Sequence, residues 1–222
     1  MKLMFVEARY KKLISIEKHV LKLPKRIGLV TTVQFIGQLK KIQSALEKQD
    51  KVVFLGTGKH TAYQGQVLGC DVDAAVSVEK NVDAFLYIGS GSFHPTAISL
   101  KTKKQVFTFN PLTEKFSMVD RKEAEKINKK RKGALIKFLS SKEIGIIVTT
   151  KPGQEQLKEA LELKNKFRDK SFYFLIFDTI DFGQLENFPF VECFVNTACP
   201  RIALDDSVRI NKAIINLEDI KN

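Results

Sequence analysis

The chain has 222 residues, 37 basic and 25 acidic, and therefore a net charge of +12. A chain this long buries roughly 70% of its unfolded surface without needing disulfides, and its three cysteines cannot all pair. Because its longest apolar run is far shorter than a bilayer span, these numbers argue against a secreted scaffold or a membrane protein. They predict a soluble protein of the cytoplasm.

The net positive charge is typical either of a protein that binds an acidic partner or of one whose solvent-exposed helix surfaces carry many lysines. The lysines fall mostly on stretches with helical periodicity, as in Lys126–Lys132 and Lys158–Lys166. No zinc-finger spacing, arginine-rich stripe or interleaved aromatic motif accompanies them. We therefore expect solvated helix faces and no direct contact with nucleic acid.

In chain order, hydrophobic periodicity predicts two series of alternating strands and helices. The first comprises strand Leu3–Val6, helix Leu13–Leu23 ending at Pro24, strand Ile27–Thr31, helix Val33–Gln49, and strands Val52–Leu55, Phe85–Ile88 and Val106–Phe109. The second comprises helix Arg121–Ser140, strand Ile144–Thr149, helix Gly153–Arg168, and strands Phe172–Phe177 and Val191–Asn196. Such alternation is typical of α/β proteins with parallel sheets.

One pattern occurs twice, 118 residues apart: GLVTT at Gly28–Thr32 and IIVTT at Ile146–Thr150, each followed by a Gln-Leu-Lys sequence. The repeat predicts two similar Rossmann-like domains, residues 24–119 and 120–222. Residues 1–23 precede the first complete unit. Their short strand Leu3–Val6 either pairs with the edge of the first sheet or is the last strand of a unit that this chain does not carry.

Ligands of α/β sheets bind at the carboxyl ends of strands, and unusual loops are predicted there. Cys70 and Cys199 lie on such loops, one in each half and on equivalent faces of the repeat, whereas Cys193 alternates with core residues of a strand. Soft thiolates select iron–sulfur clusters, zinc or copper(I). A Cys–His nucleophilic pair that uses His94 remains an alternative, and the loop Gly89–Pro95 is either a glycine turn or an anion cradle.

At these residues the chain resembles the radical-type diphthamide synthase family, the 2-(3-amino-3-carboxypropyl)histidine synthases of archaea and eukaryotes. The matching stretches are Gly28–Gln34 with Gln38-Leu39, Gly65–Asp71, Tyr87–Pro95, Val148–Gln154 and Val195–Asp206. The combination of GQVLGCD with NTACPRIALDD is specific, and the stretches span nearly the whole chain in order.

The resemblance implies three similar α/β domains that each give one cysteine to a 4Fe–4S cluster, with S-adenosylmethionine bound to the remaining iron. Cleavage of this co-substrate yields a 3-amino-3-carboxypropyl radical, which adds to a histidine of the translocating elongation factor. Cys70 matches the ligand of the middle domain and Cys199 that of the last domain, while Cys193 matches none. No catalytic side chain is assigned. The expected pocket contacts are Thr31, Thr32, Gln34, Gly89, Ser90, Gly91 and His94.

Family members carry a first domain and a third cysteine ahead of the matched stretch. The resemblance therefore implies that residues 1–23 are a remnant leading from this domain, which a separate partner chain would supply. The expected function is the C-terminal part of a split synthase, whose assembled units could form a homodimer. The alternative is a non-catalytic accessory subunit of a full-length synthase that aids electron delivery or substrate docking.

Overall fold

The structure is a computed structural model that describes Met4 and residues 6–221, with the side chains of Val208 and Lys221 left out. It divides into two compact units, one up to Ala124 and the other from Glu125. The division falls inside a helix a few residues after the predicted boundary at 119/120.

The first unit is built on a sheet with strand order β2-β1-β3-β4-β5, parallel except for the last strand. Its strands are β1 (Arg26–Thr31), β2 (Val52–Phe54), β3 (Ala84–Ile88), β4 (Gln105–Asn110) and β5 (Lys115–Met118). Its α-helices are α1 (Leu39–Glu47), α2 (Asp73–Val76) and α3 (Phe93–Lys101), with 3-10 helices at Glu17–Lys22, Val33–Gln38 and Glu79–Asn81. Apolar clusters cover both faces of the sheet, as is usual for parallel strands.

The second unit has an all-parallel sheet of order β7-β6-β8-β9. The helix α4 (Arg121–Ser140) leads into β6 (Glu143–Thr149), α5 (Leu157–Lys166), β7 (Ser171–Phe177), β8 (Cys193–Asn196), α6 (Arg201–Leu204), β9 (Ala213–Asn216) and α7 (Leu217–Lys221). 3-10 helices lie at Phe182–Asn187 and Asp206–Arg209. The predicted α/β fold with two similar parallel-sheet units is confirmed.

The same glycine–phenylalanine contact holds the central strands together in both units. Gly28 lies opposite Phe85, and Gly145 lies opposite Phe194. A Cβ atom at either glycine would come within 2.7 Å of the ring. The two equivalent glycines are 117 residues apart in sequence. Within the strands, the repeat therefore has an offset of 117 residues, and the predicted offset of 118 is wrong by one. The offset of 118 residues holds for the helices α1 and α5, which begin at Leu39 and Leu157.

Several predicted helices are shorter than their periodicity suggested. The helix expected near Leu13–Leu23 is a 3-10 helix at Glu17–Lys22, although Ile16, Val20 and Leu23 are buried as an amphipathic pattern requires. The helix predicted from Gly153 begins only at Leu157, because Gly153 has a φ of +78° that a right-handed helix excludes.

Only part of the predicted N-terminal strand lies within the described residues. The predicted strand Leu3–Val6 includes Leu3 and Phe5, which lie outside the described residues, and Met4 and Val6 belong to no strand.

The antiparallel strand β5, the edge strand β9 and the helix α3 were not predicted. Among the described helices, none is long and apolar enough to cross a membrane, and the cytoplasmic location stays a prediction.

Candidate metal centre

In the first unit, three chain segments begin at the carboxyl ends of the strands, next to the end of β1. Thr31 is fully buried, lies opposite Ile88 and donates its hydroxyl hydrogen to the Ile88 carbonyl at 2.6 Å. On its other side, its N–H donates to the Gly65 carbonyl, and its carbonyl accepts from the Val67 N–H, both at 2.8 Å. The segments that follow β1, β3 and Val67 therefore start side by side at the carboxyl ends of the strands.

The segment after Val67 carries Cys70 on a tight turn. Leu68 and Asp71 exchange two backbone hydrogen bonds of 2.8 and 3.3 Å, so that the exposed Cys70 lies within the turn. The buried Asp71 carboxylate accepts the N–H of His60 at 2.6 Å and that of Asp73 at 2.9 Å. This carboxylate thus fixes the turn to the preceding loop and to the start of α2.

The turn at Cys70 also packs against the glycine loop that follows β3. A Cβ atom at Gly69 would lie 2.2 Å from Cε1 of Phe93, the first residue of α3, so a side chain at this position would have to displace the Phe93 ring. Gly91 needs no such space, but its φ of +74° is the left-handed conformation that glycine adopts without strain. The two loops are therefore neighbours, as strand-end reasoning predicted.

Behind the glycine loop, Tyr87 and His94 form a pair. The Tyr87 hydroxyl lies 3.4 Å from Nδ1 of His94, and the rings stack with centroids 5.9 Å apart. Burial raises the pKa of Tyr87 to about 12, so the phenol keeps its proton at physiological pH. The pair therefore places a neutral hydroxyl against a half-buried imidazole.

The predicted pocket residues of the first unit lie on these adjoining segments. Thr31 and Gly89 are buried, and Ser90 and Gly91 are exposed. Thr32, Gln34 and His94 are half-buried. Their contact with S-adenosylmethionine stays a prediction, and the Thr31 hydroxyl is already engaged within the sheet.

An N-terminal segment, Glu7–Tyr10, joins two of these loops in a way that the sequence did not reveal. The Tyr10 N–H donates to the Gln34 carbonyl at 2.6 Å. Arg9 donates to the Tyr63 hydroxyl at 2.7 Å, and this hydroxyl donates to Glu7 at 3.0 Å. The hydrogen bond from Arg9 lowers the pKa of the Glu7 carboxyl. No local pattern signals a contact between residues 54 positions apart.

In the second unit, two buried asparagines hold the Cys199 loop, Thr197–Pro200. The Asn196 amide donates to the Cys199 carbonyl at 2.9 Å and to the Asn216 side-chain oxygen at 2.7 Å. Asn216 donates to the Pro200 carbonyl at 3.1 Å, and the Thr197 hydroxyl donates to the carbonyl of Ile147 in β6 at 2.9 Å. The half-buried Cys199 therefore follows β8 on a loop fixed by the ends of three strands.

Asp205 lies between the end of α6 and the 3-10 helix Asp206–Arg209. Its carboxylate accepts from Nε of Arg201 at 2.7 Å and makes no side-chain cap to the following helix.

The two loop cysteines are not equivalent within the repeat. Cys70 follows β2 and precedes β3, whereas Cys199 follows β8, which occupies the position of β3 in its own sheet. Both residues therefore lie at the carboxyl ends of the strands of their sheets, but on different connections of the repeat. The segment after β3 that corresponds to Cys199 is the glycine loop.

Cys193 is a core residue, as predicted. Its side chain is fully buried in β8, and burial raises the pKa of its thiol to about 12. The side chain is enclosed among core residues of the second unit, away from the loop that carries Cys199. The accessible thiols are thus Cys70 in the first unit and Cys199 in the second.

The two loop cysteines each offer the donor chemistry of a ligand for a soft metal. Among the described residues, no three His, Cys, Asp or Glu side chains are grouped to hold a metal ion. Each unit instead presents one accessible thiol on a loop whose backbone is fixed by buried polar groups. A thiolate on such a loop is the type of ligand that iron–sulfur clusters use.

Fold and site define a two-unit parallel α/β protein with one accessible strand-end cysteine per unit. The sequence model of the family described as "Putative diphthamide synthesis protein" matches residues 1–221. The chain therefore belongs to the diphthamide synthesis protein family.

Named relatives agree with this membership. The chain is 34% identical over 203 residues to the 2-(3-amino-3-carboxypropyl)histidine synthase of Pyrococcus horikoshii, covering 90% of this chain and 57% of the relative. The synthase of Methanocaldococcus jannaschii is 31% identical, with 89% and 51% covered. The chain thus spans about half the length of these relatives.

Solved structures agree as well. The crystal structure of Dph2 from Pyrococcus horikoshii with a 4Fe–4S cluster superposes with a TM-score of 0.77 at 32% identity, covering 92% of this chain and 58% of that one. A second Dph2 crystal structure from the same organism gives a TM-score of 0.79 at 30% identity, with 94% and 62% covered.

Proposed function

We propose that this chain is the C-terminal part of a diphthamide synthase. It transfers the 3-amino-3-carboxypropyl group of S-adenosylmethionine to a histidine of the translocating elongation factor. The observation that carries the proposal is the presence of one accessible, rigidly held strand-end cysteine in each unit of a chain that belongs to this family. Cys70 and Cys199 are the proposed ligands of a 4Fe–4S cluster.

Support for the cluster comes from the chemistry of the two loops. Thiolates are the preferred ligands of iron–sulfur clusters, and a fixed loop avoids the entropy of ordering a ligand on binding. The Asp71 carboxylate fixes one loop and the Asn196–Asn216 pair fixes the other. A similar structure, that of Dph2 from Pyrococcus horikoshii, contains such a cluster.

When bound, the cluster would supply the electron that cleaves the sulfonium of S-adenosylmethionine reductively. The residues of this chain would hold the cluster and its co-substrate. We propose that the backbone N–H groups of Ser90 and Gly91 lie near the carboxylate of the co-substrate, because small residues allow close approach. Thr32, Gln34 and His94 complete the proposed pocket in the first unit.

The remaining thiolate would come from a further α/β unit of the family. We do not assign this role to Cys193, because its side chain is enclosed in the core. We propose that a partner polypeptide contributes this cysteine and docks at the cluster. This arrangement makes the transfer activity dependent on that partner.

The test is a transfer assay under anaerobic conditions with the partner polypeptide, reductant and S-adenosylmethionine labelled in its aminocarboxypropyl group. Label should appear in the elongation factor with the wild-type chain and with Cys193→Ala. It should be lost with Cys70→Ala and with Cys199→Ala, together with the visible absorbance of the cluster. Full transfer by either of these variants would overturn the ligand assignment. Transfer by a complete synthase that this chain merely accelerates would instead favour an accessory subunit.

A further inference from the structure

The part of α4 that belongs to the second unit exposes lysines and aliphatic side chains on the same side. Exposed residues recur there at spacings of three and four, which aligns them along one side of a helix: Lys126, Lys129, Lys132, Ile136 and Leu139. Ile136 is 67% exposed and Leu139 55%. We call this side the α4 face; it is about 20 Å long and also includes Lys130 and Gly133.

The opposite side of α4 anchors the helix to the core of the second unit. Phe138 is fully buried, and Ala134 and Leu135 pack against the same apolar cluster. The α4 face is therefore not needed to attach the helix. Ile136 and Leu139 are one turn apart and remain exposed, as the apolar centre of an interface does before a partner covers it.

Gly133 lies in the middle of the α4 face, one turn from both Lys129 and Ile136. Glycine is, after proline, the least favourable residue in a helix interior. Apart from the backbone of its own helix, a Cβ atom at Gly133 would meet no atom of the described structure within 4 Å, so no contact in this part of the chain requires a glycine. The missing side chain leaves a shallow gap in which a partner can approach the backbone closely. A face that only meets water would not need this gap.

The charge of the α4 face is positive and unbalanced. From Lys126 to Ser140 the helix contains no acidic residue. Within the described part of the chain, the lysine side chains of the α4 face form no ion pair with a carboxylate. A partner with acidic side chains would therefore find complementary charge that no existing contact occupies.

Nucleic acid and an anionic membrane fit this face less well than an acidic protein. Proteins that bind nucleic acid usually add arginine or aromatic side chains to their lysines, and the α4 face has neither. A helix that lies on a membrane separates its apolar side from its charged side. On α4, Lys129 and Lys132 lie on the same side as Ile136. Apolar side chains bordered by charged ones are typical of a protein interface.

We propose that the α4 face is a docking surface for an acidic amphipathic helix of a partner protein. A leucine of that helix would fill the gap over Gly133 and contact Ile136, and acidic residues one turn away would reach Lys129 and Lys130. The proposal goes beyond the proposed transfer reaction and is independent of it, because none of these residues belongs to the cysteine loops.

The test measures binding of a fluorescein-labelled peptide of three heptads, with leucine at the a and d positions and glutamate elsewhere. Its fluorescence anisotropy is followed with the whole chain at about 0.15 M salt, where distant exposed charges are screened. The wild-type chain should bind the peptide saturably. The triple variant Lys126→Glu, Lys129→Glu, Lys132→Glu should raise the dissociation constant by about tenfold or more, because attraction becomes repulsion.

A matched charge control lies elsewhere in the same unit. The triple variant Lys151→Glu, Lys158→Glu, Lys164→Glu makes the same charge change at exposed lysines outside α4. It should change the dissociation constant by less than about threefold. Equal weakening by the two triple variants would show that only net charge attracts the peptide, and it would overturn the proposal.

The variant Gly133→Gln separates docking from folding. It should raise the urea midpoint of unfolding, because glutamine is more favourable than glycine in a helix interior. It should nevertheless weaken peptide binding by about tenfold, because the new side chain fills the gap. Ile136→Ser should also weaken binding, whereas Leu161→Ser, at a 49% exposed position of α5, should not. A Gly133→Gln chain that binds as tightly as the wild type would overturn the proposal.

Competitors identify the occupant. An unlabelled peptide of the same composition in scrambled order, a polyuridylate oligonucleotide and phosphatidylserine vesicles should each displace the labelled peptide poorly. Equal displacement by the scrambled peptide would reduce the contact to general charge attraction. Efficient displacement by the oligonucleotide or the vesicles would assign the face to that polyanion. Either result, or a wild-type chain that does not bind the designed peptide, would overturn the proposal.

Discussion

Replacing Asn196 with alanine tests whether buried amides hold the Cys199 loop. The Asn196 side chain donates to Cys199 and Asn216, and its oxygen accepts the Ala198 N–H at 3.2 Å. Asn196 is 2% exposed, so water does not replace these partners. At about 1 kcal/mol for each of the three bonds, Asn196→Ala should lower the free energy of unfolding by about 3 kcal/mol.

The assay combines urea unfolding with thiol labelling. Asn211→Ala is the matched control, because Asn211 is exposed and its amide donates only to Glu186 in the described structure. This change should alter stability by less than about 0.5 kcal/mol. In the folded Asn196→Ala protein, Cys199 should react faster with a maleimide, while Cys70 serves as the internal reference. A loss below about 1 kcal/mol, or an unchanged ratio of the two labelling rates, would refute the role of the asparagine pair.

Three further predictions concern the core thiol and the loops of the first unit. Because burial raises the pKa of Cys193 to about 12, its thiol ionises first in the unfolded state, and stability should fall as the pH rises from about 9 towards 12. Cys193→Ala should reduce this fall by about 1.4 kcal/mol per pH unit in urea titrations, and an unchanged slope would contradict the burial. Gly69→Ala should displace Phe93 and lower the cluster content after reconstitution, whereas normal iron content would show that the turn adapts. Arg9→Ala should speed hydrogen exchange in the loop around Tyr63, and exchange equal to wild type would refute the contact.

The strands of the parallel sheets could be predicted because each is a continuous apolar run bounded by polar or turn residues. Ile27–Thr31 and Ile144–Thr149 are buried on both faces, which makes their sequence signal strong. The edge strand β9 was missed, since Ala213–Asn216 is short and ends in an asparagine that belongs to the site. The hairpin strand β5 alternates polar and apolar residues over only four positions.

The cysteines of the candidate site could be predicted, but the side chains that hold their loops could not. Cys70 and Cys199 stand on glycine- or proline-flanked loops at predicted strand ends, a local signal. The contact between Asn196 and Asn216 joins two strands across 20 residues. The fit of Phe93 against Gly69 depends equally on tertiary packing, which no local period encodes.

The central claim is that Cys70 and Cys199 supply two ligands of a 4Fe–4S cluster that another polypeptide completes. Anaerobic iron–sulfur reconstitution, followed by visible absorbance and electron paramagnetic resonance, tests it most directly. It should be run on this chain alone and mixed with a single-cysteine α/β companion from the same genome. The account predicts a 4Fe–4S signal in the mixture that Cys70→Ala or Cys199→Ala removes. A stable cluster in the chain alone that survives both substitutions would contradict it.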